Sequence, residues 1–121
     1  MSKMTATERK ARLTTLKTIA DAYAAGVTEE QLAVQAPTLI GRYSFRNVCL
    51  ILGQRPDAIE CAGFHDWKKV GRSVKKGAKG IAILVPMTKA EAEGEQDGIW
   101  FSFRYVFDLS DTEVMVQEVA A

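Results

Sequence analysis

The chain has 121 residues, 47% of them hydrophobic, and a formal net charge of +1; that is enough apolar material for one domain with a core, and too little length for two. A charge so close to zero excludes a histone-like polycation and an acidic disordered tail. No apolar segment is long enough to cross a bilayer and MSKMTATERKARL has no signal-peptide run, so the expectation is a cytoplasmic protein without membrane association.

Leu13, Leu16, Ile19, Ala20 and Tyr23 recur three or four residues apart, which predicts a helix over residues 7–25 with Gly26 as its stop. Thr28 followed by Glu29, Glu30 and Gln31 forms a capping box, the start of a second, shorter helix ending before Pro37. Ser44 is a good N-cap for a helix through FRNVCLILGQ, closed by a turn at Arg55, Pro56 and Asp57. HDWKKV then reads as a short helical turn between Gly63 and Gly71. Beyond Ser73 the pattern changes. GIAILVPM is a branched apolar run, a buried strand ending at Pro86, and IWFSFRYVFDL alternates as a half-buried strand does. Its Phe101, Phe103, Tyr105 and Phe107 are expected in the core, with Trp100, Ser102 and Arg104 on the other face. TKAEAEGEQDG between these strands reads as an exposed hairpin connection, and residues 114–119 as a last edge strand. The expected fold class is α+β: N-terminal helices packed on a small antiparallel sheet with a basic hairpin.

The near-neutral average hides a gradient. Residues 1–41 contain five basic and four acidic residues, residues 42–80 nine and three, and residues 81–121 two and eight. The chain therefore divides into a helical scaffold (1–41), a basic region (42–80) and a sheet with an acidic loop (81–121). The positive charge peaks in WKKVGRSVKKGAKG, with six Lys or Arg in fourteen residues. This is not a nucleotide loop, because neither GxxxxGK[ST] nor GxGxxG is present. Lys75, Lys76 and Lys79 on a glycine-rich turn could simply be a solvated hairpin that discourages edge-to-edge aggregation. Their company favours a binding role. Arg42, Arg46 and Arg55 flank the central helix, Lys68, Lys69 and Arg72 follow Trp67, and Tyr43, Phe45, Phe64 and Trp67 are interleaved with them. Unpaired nucleic acid needs this combination, charge for its phosphates and aromatic faces for its bases. Two ambiguities stay open. Trp67 is either a core residue or a stacking one, and the amides of Asn47 and Gln54 serve either buried backbone or base edges.

The run YSFRNVCLILGQRPDAIECAGFHDWKKVGRSVKKGAKGIAILVPM, followed by FRYVFDLSDTE, resembles the N-terminal domain of the ArdC-type antirestriction proteins of conjugative plasmids. The resemblance covers residues 40–113, and the combination YSFxN, QxPxA, GFxxW, GRxVKKGxKGI and VFDxSxT is far more specific than any one of its parts. It implies binding of single-stranded DNA, and in longer members a following zinc-metallopeptidase-like domain with an HExxH motif.

No such motif occurs in this chain, whose single histidine is His65. Cys61 and His65 are four apart, but with Cys49 twelve residues upstream there is no fourth ligand, so neither a metal nor another cofactor is expected. With one histidine and no CxxC, a catalytic site has no support, and the cysteines fit a reduced compartment. The expectation is a non-enzymatic, single-stranded-DNA-binding domain with little sequence preference that protects incoming plasmid or phage DNA. Its contacts would come from Arg42, Tyr43, Arg46, Asn47, Arg55, Trp67, Lys68, Lys69, Arg72, Lys75, Lys76 and Lys79. The alternative is a protein-interaction module whose acidic C-terminal third mimics DNA and meets a restriction enzyme or another nucleic-acid enzyme.

Overall fold

The computed structural model describes residues 4–88 and 101–116. Helix α1 (Ala6–Ala24) starts where the Thr5 side chain accepts from the Glu8 N–H. Gly26 follows it, but only Gly71 and Gly77 have positive φ among the described glycines, so α1 ends without a left-handed cap. The expected capping box is present at Thr28: its hydroxyl accepts from the Gln31 N–H at 3.1 Å, and the Gln31 side chain accepts from the Thr28 N–H at 2.9 Å. It opens α2 (Glu29–Gln35). Sequence reasoning did not anticipate α3 (Pro37–Arg42), which starts with proline in its first turn, where the absent N–H has no helical partner to lose. Helix α4 (Phe45–Gln54) begins at Ser44, as its N-cap chemistry predicts, and α5 (Phe64–Lys69) lies between Gly63 and Gly71.

Among the described residues, five strands complete the α+β fold: β1 (Cys61–Ala62), β2 (Arg72–Val74), β3 (Ile81–Pro86), β4 (Phe101–Asp108) and β5 (Thr112–Val114). They form two small antiparallel sheets, β1-β4-β3 and β2-β5. A single 3-10 turn, Leu109–Asp111, carries the chain from β4 into β5. The last strand, expected over residues 114–119, is instead Thr112–Val114: residues 115 and 116 are not strand, and residues 117–119 lie outside the described residues, as do Trp100 and residues 89–98 of the acidic connection.

The basic hairpin is a correction. Residues 75–80 link β2 to β3, but these strands belong to different sheets: Val74 pairs with Thr112, whereas Ile81 pairs with Val106. Strand β2 pairs with β5 and β3 with β4, and the second edge of β3 is occupied by side chains of α4, so the two strands do not pair with each other. What remains is a tight turn in which Ala78 N–H donates to the Lys75 carbonyl at 3.1 Å. Gly77, with φ +85, occupies the position where such a turn needs a left-handed residue.

Strand β3 explains its own apolar run, because both its faces are buried. Ile81 and Ile83 join Leu39, Val48, Ile51, Cys61 and Val106 in one core, while Ala82 and Leu84 join Leu13, Leu16, Ala20 and Leu50 in the other. Its free edge is covered by α4. Asn47 Nδ2 donates to the Leu84 carbonyl and Oδ1 accepts from the Leu84 N–H, both at 2.8 Å. Seven residues on, Gln54 Nε2 donates to the Ala82 carbonyl at 2.8 Å and Oε1 accepts from the Ala82 N–H at 3.0 Å. Two helix side chains thus take the place of a neighbouring strand, which answers the edge-strand problem from the side.

The facing of β4 is a second correction. Ser102, Val106 and Asp108 are buried, whereas Phe101 and Tyr105 are exposed and Phe103 and Phe107 half-buried. The register sets Ser102 and Val106 opposite Val85 and Ile81, on the side of the larger core. Phe103 does pack, half-buried, against the smaller core, so alternation identifies two faces but not how fully each is covered.

Candidate nucleic-acid interface

The basic residues of segment 42–80 fall into two sets once their partners are known. Arg55 is structural: it extends from the end of α4, Nη1 donating to Asp111 Oδ2 at 2.6 Å, Nη2 to Ser110 Oγ at 3.0 Å and Nε to Asp57 Oδ1 at 2.9 Å. Arg72, half-buried in β2, donates from Nε to Thr112 Oγ1 at 2.7 Å and from Nη2 to the Thr112 carbonyl at 3.2 Å. Both guanidiniums tie the β4–β5 connection to the body of the domain, Arg55 through three hydrogen bonds and Arg72 through two.

The second set is exposed. Arg42 at the end of α3 and Lys69 on α5 share Asp66 across 3.6 Å, in loose surface pairs that compete poorly with a phosphate. Arg46 lies 3.8 Å from Asp21 of α1. Lys68 sits over the Phe64 ring, its Nζ 4.7 Å from the centroid. Lys75 Nζ reaches the Ser110 carbonyl at 3.2 Å, and Lys76 and Lys79 stand on the exposed turn. Among the described residues, Lys68, Lys75, Lys76 and Lys79 have no acidic partner. Gly77 supplies the left-handed residue that closes the turn, and Val74 and Ile81 anchor its two ends in different sheets.

The aromatic and amide candidates turn out differently. Trp67 is 4% exposed, and its Nε1 donates to the Phe107 carbonyl at 2.9 Å, so it packs α5 against β4 and offers no face for stacking. Asn47 is committed to Leu84 through both ends of its amide, which leaves neither end for a base edge. Tyr43 is half-buried with its hydroxyl donating to the Cys61 carbonyl at 2.8 Å; burial, only partly offset by the neighbouring Arg42, raises its pKa. The Arg42 guanidinium carbon lies 5.9 Å from the Tyr43 ring centroid. Two residues that were not among the candidates lie near Lys79: Arg12 on α1 lines a cleft with it, and the exposed Tyr105 of β4 lies against the adjacent Gly80. Arg12 directly precedes the buried Leu13 in what reads as a scaffold helix, so only the long-range packing of α1 beside the lysine turn reveals it.

Of the carboxylates in the acidic third that are described, Asp108 is 1% exposed and accepts from the N–H groups of Ile59, Glu60 and Ser110 and from Ser110 Oγ. Asp111 is paired with Arg55. These two acids hold the fold together and do not form a phosphate-like surface. Cys49 and Cys61 are buried free thiols; burial raises both, Cys61 to about 12 with a further push from Asp108. A buried thiol of that kind is neither a ready nucleophile nor a metal ligand. Among the described residues, no three His, Cys, Asp or Glu side chains converge as a metal site requires, and no helix is long and apolar enough to cross a membrane.

The described structure is a small α+β domain whose sheet edge is closed by a helix and which carries exposed cations on α3, α4, α5 and one glycine turn. A family model, the N-terminal domain of anti-restriction factor ArdC, matches residues 9–108, and the chain belongs to that antirestriction family. No curated protein and no solved structure matches it.

Proposed function

We propose that the chain binds single-stranded DNA with little sequence preference, as a binding module and not an enzyme, and that it protects incoming plasmid or phage DNA in the cytoplasm. The observation that carries this reading is the state of the cations: among the described residues, Lys68, Lys75, Lys76 and Lys79 are exposed without acidic partners, and Arg42, Arg46 and Lys69 have only loose surface pairs. Unneutralised cations on a protein of near-zero net charge are available to phosphates, and the release of counterions drives such binding. Weak sequence preference follows from the same inventory. Asn47 and Gln54 spend their amides on β3, and phosphate contacts carry no sequence information.

The test is the salt dependence of affinity for a labelled single-stranded oligonucleotide, followed by fluorescence anisotropy. With about four or five phosphates contacted, log K should fall against log salt with a slope near −3. A flat response contradicts the phosphate-tracking mechanism.

A further inference from the structure

Tyr105 is 47% exposed although it sits in the central strand of its sheet. Its side chain lies over Gly80, the residue before β3, where an added Cβ would stand 2.9 Å from Tyr105 Cβ and Cδ1. Only glycine at position 80 lets the ring settle there. Phe103 meets it edge-on, with centroids 5.8 Å apart and planes at 82°, and fixes its orientation. Covering a bare glycine accounts for one side of the ring, not for its large exposed area.

Gly80 is also part of the wall of a cleft of about 230 Å³, lined by Arg12, Gln54, Arg55, Lys79, Gly80 and Ile81. The lining contains three basic residues and no acid. Arg55 is largely balanced by Asp57 and Asp111, but Arg12 and Lys79 have no ionic partner among the described residues. An open aromatic ring thus adjoins a cationic cleft, with Gly80 common to both. A base and its own phosphate need this juxtaposition, because the ring offers a π-face to any base and the cleft offers charge.

We propose that Tyr105, Arg12 and Lys79 form a nucleotide subsite in which one unpaired base stacks on Tyr105 while a flanking phosphate enters the cleft. The subsite rests on the single-strand reading above and supplies the stacking residue that the buried Trp67 cannot be. Because stacking engages any base, it adds affinity without sequence preference.

The experiment compares an oligothymidylate with an abasic strand of equal length, which keeps the phosphates and lacks the bases. Tyr105→Leu, which still covers Gly80, should weaken oligothymidylate binding by roughly 5-fold or more and leave abasic binding unchanged. Arg12→Gln with Lys79→Gln should weaken both. On the unaltered protein, photocrosslinking with a 5-iodouracil oligonucleotide should label Tyr105. Unchanged oligothymidylate affinity in Tyr105→Leu, equal loss on both strands, or crosslinks confined to other residues overturns the subsite while single-strand binding stands. Failure of the parent protein to bind either strand overturns both readings.

Discussion

Replacing Asn47 with alanine tests whether its amide serves the strand or a ligand. The substitution removes the two 2.8 Å bonds to Leu84 and leaves that residue's N–H and carbonyl unpaired at a position only 8% exposed. An intramolecular hydrogen bond contributes about 0.5–1.5 kcal/mol net, and a buried group left unsatisfied costs about 1–3 kcal/mol. Partial access of water to the strand edge lowers the second figure, so the loss should be about 2–4 kcal/mol. At about 4 °C per kcal/mol for a chain of 121 residues, the melting temperature should fall by on the order of 8–16 °C. Asn47→Asp sharpens the test. Its carboxylate can accept from the Leu84 N–H but repels the Leu84 carbonyl, so it should be at least as destabilising at neutral pH, and should recover in part below about pH 4, where a protonated carboxyl can donate. Circular-dichroism melts of the three proteins across pH, with DNA affinity measured on whatever remains folded, read both effects. If Asn47→Ala melts within about 2 °C of the parent and instead loses DNA affinity, the strand-edge account is wrong.

Asp108 gives a pH prediction. Burial alone would raise its pKa, but the Ser110 hydroxyl and the N–H groups of Ile59, Ser110 and Glu60 hold it below the usual carboxylate range. A depressed carboxylate contributes stability that is fully present above its unfolded pKa of about 4 and fades as pH falls through the folded value. Urea midpoints should therefore drop on acidification, and Asp108→Asn should show a smaller drop; parallel pH profiles would refute this. The buried thiols predict that neither Cys49 nor Cys61 reacts with a disulfide reagent at about pH 8 until denaturant is added, since a free thiol would be partly ionised there; fast labelling of the native protein contradicts their placement. Changing Lys75, Lys76 and Lys79 to Gln should leave the melt within about half a kcal/mol of the parent. Each lost phosphate contact should make the salt slope shallower by about 0.7, up to about 2 in all, so an unchanged slope removes the turn from the interface.

Features governed by local chemistry could be read from the sequence. Thr28 with Gln31 and Ser44 before FRNVCLILGQ mark their helices because a cap and its partner are three residues apart. The branched run of β3 and the alternation of β4 likewise name their strands. Long-range partners could not be read. Arg55 and Asp111 are 56 residues apart, Arg72 and Thr112 are 40, and nothing local distinguishes a guanidinium bound to its own fold from one free for phosphate. The open choice for Trp67, which is buried, and the exposure of Tyr105, which was expected in the core, could not be read for the same reason: which side of a strand or short helix is covered depends on elements far away in the chain. The link between β2 and β3 read as a hairpin because glycines and lysines specify a turn without specifying the partners of the strands it joins.

The most direct test of single-strand binding is a side-by-side anisotropy titration with a single-stranded oligonucleotide and a duplex of the same length, at one fixed salt concentration. A duplex carries the denser phosphate charge, so purely electrostatic binding would favour it or show no preference. The account predicts tighter binding to the single strand, because stacking requires unpaired bases. Equal affinity, or tighter binding to the duplex, would contradict it.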